Sequence, residues 1–419
     1  VIEWHLVWAS VSGMETMLYT WLSVLVVELW LVADGRTENR WQTANSGQQT
    51  AFGMHRVSVA SRQLSGLTDW WTLGFVGGLL ALTRPEGLGL IGLIGLAEGW
   101  RLRHTPGRLL RGWVAIGIGL ALPVVPYLVF HYLTTGLPFP NTFYAKQEEY
   151  RALLTLFSPW RRWTMMAGVT LVGGQVLLLS GFVYAVWRAV SNLRSSSSPD
   201  PRGQETSKAS YGILLAAIWW FVHLALYALR LPVTYQHGRY QLPVIPFFIL
   251  IGVGGTAYLL HPQARTMLVR VLSRAMMVSI LLLFLGFLVL GARAYAADVG
   301  FIQGEMVAIA HWLDANVPPD GLIAVHDIGA IGYFTPRPLL DLAGLVTPEV
   351  IPFITDEVRL IEFMQDQGAD YVVFFPDWSD GYRRMAQDPR QPVYVTGFDW
   401  TLAQGRANMT VYRVQPRKE

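Results

Sequence analysis

The sequence predicts a mainly α protein: a polytopic transmembrane helical bundle over residues 1–297, followed by a C-terminal extracytoplasmic α/β domain over 298–419. Three observations carry this. Of the 419 residues, 52% are hydrophobic and only 15% are charged, against about a quarter charged in soluble domains. The apolar residues gather in runs long enough to cross a hydrocarbon core of about 30 Å. Charge is also divided along the chain. Residues 1–297 hold 23 Lys and Arg against 12 Asp and Glu, a net charge of +11, whereas residues 298–419 hold 9 against 17, a net charge of −8. A basic membrane part and an acidic globular part are different kinds of domain.

Composition excludes several chemistries. There is no cysteine, so disulfides, thiolate metal sites and cysteine nucleophiles are ruled out. The arginines are spread through loops and form no continuous basic face, which argues against nucleic acid as a partner. No zinc-protease helix motif and no phosphate-binding loop is present, and the histidines lack ligand spacing. No cofactor or tightly held metal is expected, with a divalent cation left open. The chain starts at Val1 and enters an apolar run almost at once. It therefore reads as a fragment without its natural N-terminus.

The first span is expected over residues 14–32. Ser12 and Glu15 stand before it with the spacing of a helix capping box. A polar loop is expected over 34–69. The run 70–100 is too long for one upright span, at roughly 45 Å as a helix, and Pro85 stands near its middle. Two short helices that turn near Arg84 and Glu86 are the expected form. Arg84 and Glu86 are the only charges between Asp69 and Glu98. Charge at membrane depth is costly and marks functional cavities. The plain alternative is an Arg84–Glu86 ion pair holding a kink. Further spans are expected near 113–133, 164–187, 211–229, 240–260 and 276–296. The loop with Arg101, Arg103, Arg108 and Arg111 is the clearest cytoplasmic signal by the positive-inside rule. Loops 188–210 and 261–275 are basic and join it, and Ser195 to Pro199 reads as a flexible linker tip. The turn at Arg84, loop 134–163, residues 235–240 and the C-terminal domain then face outward. In that domain, helices are expected over 305–316 and 358–367, and buried strands over 322–325 and 371–375.

Four outward groups carry candidate chemistry. They are Arg84 with Glu86; Leu137 to Lys146, where two prolines favour extended backbone ahead of Asn141, Tyr144 and Lys146; His237 to Pro243; and His326 to Tyr333 with Asp341 downstream. Arg84, Lys146 and Arg239 suit a phosphate or pyrophosphate leaving group. Carboxylates and aromatics suit a sugar. For Lys146 the plain alternative is a snorkelling interfacial lysine, and for the 237–243 segment a tight turn.

Gly13-Met14-Glu15-Thr16, Leu82-Thr83-Arg84-Pro85-Glu86-Gly87, Pro140-Asn141-Thr142-Phe143-Tyr144-Ala145-Lys146, Gly238-Arg239-Tyr240-Gln241-Leu242-Pro243 and Asp327-Ile328-Gly329-Ala330-Ile331-Gly332-Tyr333 follow one another in chain order. Together they resemble successive blocks of bacterial GT-C glycosyltransferases, most of all the terminal arabinofuranosyltransferase-like branch. More distantly they resemble protein mannosyltransferases and the lipid A aminoarabinose transferase. The resemblance implies a GT-C-like bundle in the inner or plasma membrane, a polyprenyl-phosphate sugar donor, and a glycan, lipid or protein acceptor outside the membrane. It also implies inversion at the anomeric carbon and a catalytic Asp in the first outer loop, which would lie upstream of Val1, so that the fragment alone would be inactive. Arg84, Lys146 and Arg239 are the expected donor-phosphate contacts. Glu15, Glu86, Asn141, Tyr144, His237, Tyr240, Asp327 and Asp341 are expected to position sugar or acceptor, with Glu15 not the general base. A transporter or flippase of lipid-linked glycans is the alternative.

Overall fold

The structure is a computed structural model that describes residues 3–45, 55–195, 201–260, 267–387 and 392–414. It is mainly helical with one small C-terminal sheet. Two compact units divide the chain: residues 1–138 with 156–289, and residues 139–155 with 290–419.

In the first unit, α1 (Trp4–Val11) begins at Glu3, whose carboxylate accepts the Leu6 N–H at 2.9 Å. The capping box expected at Ser12 and Glu15 does not form. Ser12 instead closes α1, its hydroxyl donating to the Ala9 carbonyl at 2.9 Å. Glu15 lends its carbonyl to the Tyr19 N–H at 2.9 Å and so starts α2 (Thr16–Asn45), which leaves its carboxylate free for tertiary contacts. Of the loop expected over 34–69, the described residues are helical: α2 runs on to Asn45 and α3 (His55–Thr83) covers residues 55–69, while 46–54 lie outside the described residues. Polarity alone does not stop a helix, and this stretch contains no proline.

The expected break in the 70–100 run is present. α3 ends at Thr83 and α4 (Gly87–Arg101) follows. Pro85 has no N–H to continue the ladder, and Gly87, Leu88 and Gly89 bond three residues back, to Arg84, Pro85 and Glu86. A side chain at Gly87 would run into the Leu80 backbone. The two legs are unequal, however, because α3 begins so early.

α5 (Pro106–Thr135) carries Pro123 and Pro126 inside it and ends at Gly136 in the left-handed conformation. α6 (Asn141–Glu149) and α7 (Ala152–Leu156) follow. The segment 141–146 is thus helical, and only the prolines ahead of it are extended. The span expected over 164–187 is divided. α8 (Pro159–Val169) stops, residues 170–174 turn, and α9 (Gln175–Ser195) resumes. Gly173 sits there at φ +90°, a backbone that glycine adopts freely. The linker tip at 196–199 lies outside the described residues. α10 (Pro201–Arg230), the one-turn α11 (Tyr235–Gly238), α12 (Ile245–Leu259) and α13 (Met267–Phe301) complete the helical part.

Among the described residues, six helical stretches are long and apolar enough to cross a membrane: Thr16–Ala33, Pro106–Thr135, Gln175–Arg194, Ser207–Arg230, Tyr235–Leu259 and Met267–Asn316. Their packing is that of helices brought close by small residues. Side chains added at Gly74 and Gly119 would strike the carbonyls of Ile116 and Trp71, and one at Gly255 would strike the Gly181 carbonyl. Leucine at Gly255 should therefore force α9 and α12 apart. The expected result is a Tm lowered by several degrees in detergent, or loss of the monodisperse peak on size exclusion, while Gly254→Leu, with open space around it, leaves both unchanged.

The second unit takes in α6 and α7 from the middle of the chain, which no sequence boundary at 297/298 anticipates. α13 crosses that boundary unbroken and leads through a π-helical turn (Ile302–Val307) into α14 (Ala308–Asn316). The strands are β1 (Ile323–Val325), β2 (Leu339–Asp341), β3 (Tyr371–Phe374), β4 (Pro392–Val395) and β5 (Thr410–Arg413), in the order β2-β1-β3-β5-β4. β1 pairs in parallel with β2 and β3, and β5 runs antiparallel to β3 and β4. α15 (Ile328–Phe334) links β1 to β2, α16 (Glu357–Asp366) precedes β3, and α17 (Asp380–Gln387) and α18 (Asp399–Ala403) follow it.

Alternation along the strands feeds two cores, as a sheet covered on both faces requires. Ile323, Val325, Tyr371 and Val373 pack with Ile309, Leu313 and Ile331, whereas Ala324, Val372 and Phe374 pack with Leu360, Met364 and Tyr382. Glu305, fully buried at the π-turn, accepts from Asn408 Nδ2 at 2.8 Å, from the Met409 N–H at 2.9 Å and from the Thr396 hydroxyl. It ties the helix to the β4–β5 hairpin.

Candidate functional site

The charges of the first unit meet at Glu15. Arg84 follows the end of α3 and is 5% exposed. Its Nε and Nη2 donate to Glu15 Oε1 at 3.0 and 2.7 Å, Nη2 also reaches Thr16 Oγ1 at 2.8 Å, and Nη1 reaches the Arg239 carbonyl at 3.3 Å. Arg239 donates from Nη2 to the same Glu15 oxygen at 3.1 Å and from Nη1 to Gln236 at 2.9 Å. One carboxylate oxygen thus holds two guanidinium groups. The Arg84–Glu86 ion pair does not form: Arg84 bridges to Glu15, and the Glu86 Oε2 is buried without a hydrogen-bond partner.

Backbone geometry aims Arg239. Gln236, His237 and Gly238 have φ of 51°, 53° and 72°, three consecutive left-handed residues, of which two carry side chains. Such strain persists only where surroundings over-determine it. The His237 ring packs edge-on against Trp4 and Trp8 at 5.4 and 4.9 Å. Gln241, fully buried, donates to the Val233 carbonyl at 3.1 Å, closing the turn.

An aromatic wall surrounds the cations. The Arg84 guanidinium lies 5.7 Å from the Tyr19 ring and 5.3 Å from the Tyr240 ring, and that of Arg239 lies 5.2 Å from Tyr240, within cation–π range. The Tyr235 and Tyr240 hydroxyls are 3.0 Å apart. Tyr227 packs at a tilt, 5.1 Å from both Tyr240 and His223, and His223 Nε2 donates to the Tyr240 carbonyl at 2.8 Å. The sequence reading missed Tyr19, His223 and Tyr227. The signal was the i, i+4 spacing of Glu15 with Tyr19, and of His223 with Tyr227, each pair on one helix face. Four buried polar atoms beside these groups have no hydrogen-bond partner: Tyr19 Oη, Glu86 Oε2, His223 Nδ1 and Arg239 Nε. Buried polar groups are normally paired, so their gathering here suits a polar ligand.

Glu98, buried at 2% exposure, was not among the residues that the sequence singled out. It accepts from Trp30 Nε1 at 2.7 Å and from Arg101 at 3.2 Å, joining α2 to the end of α4.

The remaining expected residues belong to the second unit. Lys146 donates to Glu149 at 2.8 Å, one turn along α6. Asn141 Nδ2 lies 3.5 Å from the Leu345 carbonyl, and Tyr144 packs edge-on against Phe143. Asp327 precedes α15, with its carboxylate 3.8 Å from His326 Nδ1. Asp341 is buried at the end of β2, where it accepts the N–H groups of Ala343 and Val346 at 2.8 Å each, and that of Leu345. Both its oxygens are engaged in holding that turn.

Residues 295–412 match a family described as a domain of unknown function, DUF8728; this covers most of the second unit and none of the helices that precede α13. No curated protein and no solved structure matches the chain.

Glu15 lies outside the first candidate span. Burial raises its pKa, but Arg84 and Arg239 together lower it by more, so the net shift is downward. A carboxylate with a depressed folded pKa contributes stability that is complete above its unfolded value, about 4.3, and is lost as pH falls through the folded value. The Tm of the wild-type chain should thus fall as acid protonates Glu15. Glu15→Gln should have a lower Tm at pH 7 and a flatter acid limb. Breaking a buried pair costs on the order of 3–5 kcal/mol, and the partial exposure of Glu15 brings the expectation below that. Equal Tm curves for the two proteins would show that the carboxylate does not hold the arginines.

Proposed function

We propose that the chain is an integral membrane glycosyltransferase that moves a sugar from a polyprenyl-phosphate donor to an extracytoplasmic glycan, lipid or protein acceptor. The observation that carries the reading is the Glu15-bridged pair of arginines, Arg84 and Arg239, at the interrupted ends of apolar helices. Two guanidinium groups with a shared counter-ion suit a phosphate that gains charge as its bond to sugar breaks. The in-order resemblance to GT-C blocks supports the same reading. Six apolar helices make the chain compatible with a multi-pass membrane protein, and charge alternation along its loops favours an outward C-terminal unit.

In this mechanism Arg84, fixed by Glu15 and Thr16, binds one phosphate oxygen and Arg239 another. The Tyr19, Tyr227 and Tyr240 rings exclude water and strengthen the interaction. An acceptor hydroxyl loses its proton to a carboxylate base and attacks the anomeric carbon as the lipid phosphate departs. Glu15 is a poor base, since its two arginines hold it ionised. Lys146, already paired with Glu149 in the other unit, is not assigned to the phosphate.

Transport of a lipid-linked glycan is the second reading. It is favoured by a second interrupted helix, at 170–174 between α8 and α9, because transporters build midplane sites from broken helices. Reconstituted full-length gene product with a labelled polyprenyl-phosphate sugar separates the two readings. Transfer to acceptor should be seen, without movement of intact donor across the bilayer. Arg84→Ala should lower turnover by about a hundredfold or more, and Arg84→Lys should recover only part, because a point charge replaces a planar fork. The Arg84→Ala/Glu15→Ala double change, which also strips Arg239 of its counter-ion, should leave turnover per folded molecule no higher than in Arg84→Ala. Full turnover in the double variant would refute the phosphate role.

A further inference from the structure

The parallel half of the second unit's sheet has a reversal of strand order at β1. From β1 the chain crosses by α15, on one face, to β2. From β2 it returns by α16, on the other face, to β3, on the far side of β1. In open α/β sheets the loops after two such neighbouring strands part, and ligands bind in the crevice at their carboxyl ends. The two loops here are His326-Asp327 after β1 and Phe375 to Ser379 after β3.

The side chains at this crevice combine an exposed aromatic ring with buried polar atoms that lack hydrogen-bond partners. The His326 ring meets the Trp378 ring edge-on at 4.5 Å, and Trp378 lies 6.3 Å from Tyr382, near-parallel to it. Trp378 is 40% exposed, an open aromatic platform at the rim. Tyr382 is only 8% exposed, and its hydroxyl has no hydrogen-bond partner. Burial above all, and then the charges of Glu357, Asp327 and Glu149, push the pKa of that hydroxyl upward. Glu357 lies against Gly381, where any Cβ would strike the carboxylate, so glycine beside Tyr382 gives Glu357 its place. Two further buried atoms, His326 Nδ1 and Asp377 Oδ1, also lack a hydrogen-bond partner, although the other Asp377 oxygen accepts the Ala407 N–H at 3.0 Å. α6 completes the wall. Ala145 packs in the same core as Leu342 and Tyr382, and Asn141 meets the Leu345 carbonyl, bringing Lys146 and Glu149 to this end of the sheet.

We infer that this crevice, at the carboxyl ends of β1 and β3, is a binding site for a neutral saccharide. The chemistry selects that class. Asp327, Asp377, Glu149 and Glu357 outweigh Lys146, itself paired with Glu149, and Arg383 on α17 is paired with Asp380, so a phosphate or other anion would be repelled. Sugar hydroxyls donate to carboxylates and accept from the Tyr382 hydroxyl, which has no hydrogen-bond partner within the protein. A sugar ring's apolar face stacks on an indole such as Trp378. Among the described residues no three His, Asp or Glu side chains are grouped to hold a metal ion. Under the transferase reading this saccharide belongs to the acceptor, and only that word rests on the reading.

The test uses the full chain in detergent with no donor present. A panel of neutral disaccharides (mannobiose, galactobiose and arabinobiose) is screened by saturation-transfer difference NMR, and any binder is titrated by calorimetry. At least one should bind. Trp378→Ala should weaken its Kd by about tenfold or more, and Asp327→Asn and Tyr382→Phe should each weaken it severalfold while keeping the wild-type Tm. These two nearly isosteric changes keep the test intact if Trp378→Ala folds poorly. The inference is overturned if no disaccharide binds, if binding is unaffected by all three changes, or if calcium or pyrophosphate binds in a way those changes abolish while sugar does not. A chain that binds sugar here and transfers none would sink the transferase reading alone. One that transfers sugar and binds none here would sink this inference alone.

Discussion

A single oxygen of Glu15 accepts from both Arg84 and Arg239, and the arrangement of the first unit follows from the need to bring those three side chains together. Two guanidinium groups this close repel each other. In an apolar surrounding neither is tolerated without a counter-charge. Each residue is delivered by an interruption in a helix. Glu15 stands between α1 and α2, Arg84 in the Pro85 break, and Arg239 after three left-handed residues. The strain at Gln236 and His237 and the glycine required at position 87 are costs borne to make that meeting. A continuous helix at any of the three places would remove one partner and leave a buried charge alone.

The same constraint explains what the sequence made legible and what it did not. Arg84 and Glu86 were conspicuous because no other charge lies near them in the chain, and Pro85 located the break. Their nearness in sequence also suggested the wrong partner. Two residues apart across a tight turn, they are neighbours on paper, while the carboxylate that neutralises Arg84 comes from 69 residues away. Only tertiary structure supplies that pairing. Polarity misled over residues 34–45 and 55–69, where α2 runs on to Asn45 and α3 starts at His55. It misled again over 141–146, where prolines at 138 and 140 govern the residues before the helix but not the helix itself. The Ser12–Glu15 pattern fitted a capping box by spacing, yet α1 claims Ser12 as its own end.

In the C-terminal unit two of the five strands, β1 and β3, and the helices at 308–316 and 357–366 were legible, since short apolar runs and 3.6-residue spacing report directly on burial. The contribution of α6 was not. A helix 140 residues upstream of the domain supplies Ala145 to its core, and no local pattern signals so distant a partner. The motif from Asp327 to Tyr333 was conspicuous as sequence, but its setting depended on strand order. Once β1 lies between β2 and β3, His326 and Asp327 stand where an α/β sheet opens. Asp341, which looked equivalent, instead has both oxygens engaged by turn N–H groups.

The account rests on Glu15 presenting Arg84 and Arg239 to a lipid phosphate. Native mass spectrometry of the detergent-solubilised full chain, offered polyprenyl monophosphate and the uncharged polyprenol in equal amounts, tests this most directly. The account predicts saturable retention of one phosphate lipid, little retention of polyprenol, and a loss of about tenfold or more in phosphate-lipid affinity on Arg239→Ala. Equal retention of the two lipids, or undiminished phosphate binding by Arg239→Ala, would contradict it.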